Sequence, residues 1–69
     1  MLNEKQSLNF LLQRSELLLA EMINARSKGA KELTPENSNI ISHGKMSLTR
    51  RDILEMETEI KTIKQQIAI

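Results

Sequence analysis

Apolar residues recur along this chain in two helical rhythms, with a stretch of shorter beat between them. Leu8, Leu11, Leu12, Leu18, Leu19 and Met22 keep the three-and-four spacing of one helix face, and Ser15 fills the gap in the stripe. Neither Pro nor Gly interrupts the run before Gly29, and Asn3 and Gln6 have the spacing of a capping pair. These features predict a first helix over residues 3 to about 28. Lys28-Gly29 is its stop: a cation in the last turn, then the residue that most easily takes the left-handed cap. Ile53, Met56, Ile60, Ile63 and Ile67 repeat by three and four, which predicts a second helix over 50 to about 67. That stripe is narrow, enough for one partner helix. The two stripes are expected to face each other.

Between the helices the period shortens to two. A linker is expected over 29–37, punctuated by Thr34-Pro35-Glu36-Asn37 and read as an exposed loop, although Pro35 is also at home in a first helical turn. A β-hairpin is expected over 38–48 with His43-Gly44 as its two-residue turn, since such a turn needs positive φ and Gly supplies it without steric conflict. That register sets Ser42 against Lys45, Ile41 against Met46, Ile40 against Ser47 and Asn39 against Leu48. Ile41, Met46 and Leu48 then share one apolar face, while Ile40, Ser42, Lys45 and Ser47 point the other way. Thr49 follows as a helix cap, with Asp52 at the last position of the capping box and favourably near the positive end of the helix. The fold class is therefore α+β: two antiparallel helices with a single two-stranded hairpin between them, in one domain spanning 1–69.

Some apolar positions are surplus to that core. Phe10 and Leu17 lie two turns apart on the side of helix 1 opposite the Leu8/Met22 stripe. The pair is a candidate partner surface, against the plainer account of incidental exposure. Along helix 2, Asp52, Glu55 and Glu59 flank the stripe on one side; Arg50, Lys61 and Lys64 flank it on the other, with Glu57 placed to pair with Lys61. Such flanks are usually a solvated face. The sharper reading is a head-to-tail contact between subunits in a ring.

Composition narrows the function. A chain of 69 residues buries only about 60% of its unfolded surface, and the absence of cysteine leaves no disulfide or thiolate site to reinforce it. A formal net charge of +1 gives little overall pull toward polyanions, and Phe10 is the only aromatic, too few for a base-stacking platform. The apolar runs are too short and too interrupted by charge for a membrane span or a cleaved signal, so a soluble, non-exported protein is expected. No catalytic, metal or cofactor set is expected. His43 stands alone in a predicted turn, Glu55, Glu57 and Glu59 do not share a helix face, and there is no glycine-rich phosphate loop. Lys45, Arg50 and Arg51, with His43, place positive charge at the hairpin end. A weak contact with DNA phosphates is the functional reading of that charge, and solubility is the plainer one.

The passage Ser42-His43-Gly44-Lys45-Met46-Ser47-Leu48-Thr49-Arg50-Arg51-Asp52-Ile53, with the Glu/Ile-rich helix after it, resembles the lambda-type phage head–tail joining, or head completion, proteins. The helix ending in Gly also fits, and the resemblance extends over roughly residues 8 to 66. It implies a small non-enzymatic virion part that docks on the portal after DNA packaging. There it forms a ring of like subunits, though a monomer alone, and presents the surface for the next connector or tail protein. It also implies assembly in the host cytoplasm and a final place in the virion neck. Two departures matter. The linker over 30–37 is longer than in the lambda protein. Helix 2 runs into apolar Ile67-Ala68-Ile69 rather than a basic tail, so Ile69 is a candidate for insertion into a neighbouring subunit. Phe10, Leu17, Ile40, Lys45, Arg50, Arg51 and Ile69 are thus the partner-contact candidates. The alternative is a helical-hairpin regulatory or chaperone-like module, such as a small secretion cochaperone or an anti-regulator, which needs no β-hairpin.

Overall fold

A computed structural model describes residues 3–69. Its elements in chain order are α1 (Glu4–Ser27), β1 (Glu32–Leu33), β2 (Met46–Ser47) and α2 (Arg50–Ala68). Two helices with a two-stranded antiparallel hairpin between them give the expected α+β class.

Both helices begin on reciprocal caps. The Asn3 side chain accepts from the Gln6 N–H at 2.8 Å, and the Gln6 side chain accepts from the Asn3 N–H at 3.0 Å. Thr49 Oγ1 accepts from the Asp52 N–H at 3.2 Å, and an Asp52 oxygen accepts from the Thr49 N–H at the same separation. Orphan donors of each first turn are thereby satisfied. Past the C-cap Lys28 the chain leaves α1 through Gly29, whose φ of +90° is open to glycine and strained for other residues. There the Ala30 N–H donates to Ala25 O at 3.0 Å and the Gly29 N–H to Arg26 O at 2.9 Å, the paired bonds of a Schellman cap.

The helices pack antiparallel: Lys64 of α2 reaches Glu16 of α1 at 3.6 Å, while Arg26 near the other end of α1 reaches Leu48 beside the start of α2. The stripes meet as expected except at Leu11, which is 45% exposed. Met22 and Ala25 are buried on α1 and Ile60 and Ile63 on α2, with Leu18, Ile53 and Met56 partly buried. Ser15 is buried in its gap, and among the described residues no buried side-chain nitrogen or oxygen lacks a partner. Leu33 is wholly inaccessible and joins Met22, Ala25 and Leu48 in one cluster, against which Ile41 and Met46 pack.

The hairpin corrects the expected register. β2 lies where expected, but its partner is β1: Leu33 pairs with Met46 and Glu32 with Ser47, so the first strand falls inside the expected linker over 29–37. Ile41 therefore does not oppose Met46, nor Asn39 Leu48. The cause is local hydrogen bonding over 38–41. Ser38 Oγ accepts from the Ile40 and Ile41 N–H groups, both at 3.0 Å, and a Glu21 oxygen accepts from the Asn39 N–H at 3.0 Å. Those donors are spent on side chains, as Ser and carboxylate groups near a backbone often arrange, and none is left for a ladder. Thr34-Pro35-Glu36-Asn37 forms a turn closed by the Asn37 N–H on Thr34 O at 3.1 Å. The Asn37 side chain braces it, accepting from the Thr34 N–H at 2.7 Å and donating to Glu32 O at 3.0 Å. At the second bend only Gly44 is left-handed, with φ +81°; His43 keeps a negative φ.

Candidate functional site

Three of the seven sequence candidates come together. Phe10 and Leu17 on α1 line one open hollow of about 250 Å³ with Ile40 from the loop, and Gln13, Arg14 and Asn39 complete its wall. The volume lies below the ~300–1,000 Å³ usual for small-molecule sites and suits one protruding side chain. Phe10 is 61% exposed and Leu17 62%, so Ile40 walls the hollow without covering it. The loop thus supplies part of a layer that the helices alone lack.

Glu21 builds the site. It lies four residues past Leu17, hence on the same flank of α1. The Ser38 hydroxyl donates to one carboxylate oxygen and the Asn39 N–H to the other. This clamp pins residues 38–41 to the helix and sets Ile40 beside Phe10 and Leu17. The bonds from Ser38, then from the Asn39 N–H, hold the Glu21 carboxyl below its ordinary pKa, and burial opposes them only partly. At the α2 start the Asp52 carboxyl is also lowered, chiefly by the Thr49 hydroxyl and then by Ser47.

The other candidates stand apart. Lys45 pairs with Glu32 across the hairpin at 3.5 Å, and Arg51 pairs with Glu55 one turn on at 3.2 Å. Arg50 lines a different hollow, at the hairpin end, with Arg26 and Lys31. Ile69 is 97% exposed at the end of α2 and lines none of these hollows. A third hollow lies over the helix seam between Leu19, Ala20 and Ile23 of α1 and Ile60 of α2. Glu16 and Lys64 form its rim and pair with each other, so Lys64 spans the helices, whereas the expected Glu57–Lys61 pair is not among the ion pairs of the described residues.

The accessible surface is large for the mass of the chain. A compact monomer of 7.9 kDa has an accessible surface of about 4,400 Å² by the usual scaling with mass. This chain exposes 5378 Å², about a fifth more. Among the described residues, no group of three His, Asp or Glu side chains is placed to hold a metal, and no helix is long and apolar enough to cross a membrane.

No protein-family model matches the chain, nor does any curated protein or solved structure.

Proposed function

We propose that this chain is a non-enzymatic structural adaptor that docks on a protein partner through the Phe10–Leu17–Ile40 hollow. The setting we propose is the one the sequence resemblance implies. There the chain adds to the portal vertex of a phage head after DNA packaging, joins a ring of like subunits, and presents the surface for the next connector or tail protein. One observation carries the docking surface: two exposed apolar side chains of α1 and a third from a distant loop share an open hollow that the Glu21–Ser38 clamp holds in shape. Its occupant is an apolar side chain of the partner. Arg14 in the wall has no ion-pair partner among the described residues, so a carboxylate next to that apolar group fits best. The helix–hairpin–helix order supports the proposed setting, and a module of two helices alone makes no use of Leu33 and the strand that carries it.

The test is co-sedimentation of the purified chain with portal rings of the phage that encodes it. The adaptor reading expects several copies per ring, and release by the Phe10→Ser/Leu17→Ser double variant with helicity unchanged. A folded wild-type chain that ignores portal rings and forms a one-to-one complex with a non-virion protein would transfer the case to the regulatory module. Equal binding by the double variant would remove the hollow from the account.

A further inference from the structure

The hairpin end of the molecule carries a second built surface. A hollow of about 570 Å³ is lined by Arg26, Lys31 and Arg50 over a floor that includes Leu48. Among the described residues no carboxylate lines it. The acidic groups nearest in the chain are engaged elsewhere: Glu32 on Lys45, Glu55 on Arg51, and Asp52 on Thr49. Because Asp52 already caps α2, the pull on an anion comes from the three side chains and not from the helix end. Buried Leu48 ties the Arg26 side chain and the Lys31 backbone together. Arg26 Nη1 donates to Leu48 O at 3.0 Å, and the Leu48 N–H donates to Lys31 O at 3.0 Å. Arg26 keeps further N–H donors for a ligand, and its restraint lowers the ordering entropy that binding would require. With no carboxylate in the lining, an oxyanion seated in the hollow meets three cations and no opposing charge.

We infer that this hollow seats a phosphate of a duplex nucleic-acid backbone. A polymer fits better than a lone anion, because Lys28, next in the chain to Gly29 of the lining and in no ion pair among the described residues, adds a further positive charge beside the hollow. A duplex fits better than a single strand, because the sole aromatic, Phe10, lines the other hollow and offers no stacking platform here. A lipid surface fits less well, because none of the exposed large apolar side chains lines this hollow. Binding is expected to be independent of sequence, through phosphate alone. Of the charges expected from sequence to meet phosphate, only Arg50 lies in the hollow; Arg26 and Lys31 supply the rest. The inference does not rest on the docking surface of α1.

Fluorescence anisotropy of a labelled duplex of about 20 base pairs tests it. Three phosphate contacts at a slope of about −0.9 each predict roughly a 40-fold loss of affinity between about 50 and 200 mM salt. Lys31→Ala/Arg50→Ala leaves one contact, so it should bind more weakly at low salt and lose only about 4-fold over the same range. Arg51→Ala should keep the wild-type slope, and circular dichroism should show both variants folded. The inference is overturned by an absence of binding at about 50 mM salt, or by a double variant with the wild-type slope. It is overturned equally if phosphatidylserine vesicles bind as well and lose binding in the same variant, which would make the surface a lipid one. Inorganic phosphate competing at low millimolar concentration would show a small-anion site instead and also contradict it.

Discussion

Replacing Leu33 by Ala tests the observed hairpin against the expected one. Leu33 is 0% exposed and packs with Met22, Ala25 and Leu48, while Ile41 is partly buried at the edge of that cluster. Removing a wholly buried leucine side chain typically destabilises by about 2–5 kcal/mol, through lost transfer energy and the cavity left behind. A chain of 69 residues has a total stability of roughly 3–10 kcal/mol at the usual ~0.05–0.15 kcal/mol per residue. Leu33→Ala should therefore remove a large share of the stability, and in the lower part of that range unfold the protein. Ile41→Ala should lose about 1–2 kcal/mol, because that side chain is only partly buried at the edge of the cluster. Urea unfolding followed by far-ultraviolet circular dichroism measures both without Trp or Tyr, and Leu33→Val, at about 1 kcal/mol, gives a folded variant for the series. If Ile41→Ala proved as damaging as Leu33→Ala, the strand pairing described above would be wrong.

Three further outcomes follow from the same contacts. Gly29→Ala should cost about 1–2 kcal/mol by thermal melting, because φ is +90° and the space around the added Cβ is open, which leaves backbone strain as the sole term. Glu21 has a folded pKa below its unfolded one, so its contribution to stability is present above the unfolded value and is lost as pH falls through the folded value. An NMR titration should show the Glu21 carboxyl and the Asn39, Ile40 and Ile41 amides changing together below the ordinary glutamate range, and Glu21→Gln should abolish that step. Lys64→Ala should change stability by less than about 0.5 kcal/mol, since both members of the Glu16–Lys64 pair are largely exposed; chemical denaturation at low and high salt reads it.

The sequence shows what is written in neighbouring residues and hides what depends on distant ones. Both helices, their stripes and their capping boxes were legible, because Asn3–Gln6, Thr49–Asp52 and Lys28-Gly29 act within one turn. The grouping of Ile41, Met46 and Leu48 over one core also holds. The strand pairing was not legible, because it turns on Glu21 meeting Ser38 and Asn39 across a separation that no periodicity encodes. A Ser-Asn pair ahead of two isoleucines reads equally well as strand or as a hydrogen-bonded turn. The same contact decides the site. Phe10 and Leu17 were visible as a surplus face, but only the clamp brings Ile40 to them. Arg26 and Lys31 carry no joint signal in the sequence because they flank the Lys28-Gly29 stop on opposite sides, and only the antiparallel return of the chain brings Arg50 into the same hollow.

Site-specific photo-crosslinking during particle assembly tests the central claim most directly. A photoreactive residue is placed at Leu17 in one variant and at Leu54 in another, two exposed leucines on different helices, 62% and 53% accessible. The account predicts that position 17 crosslinks to the portal protein and that position 54 does not. A crosslink from 54 with none from 17 would contradict it and move the docking surface to α2.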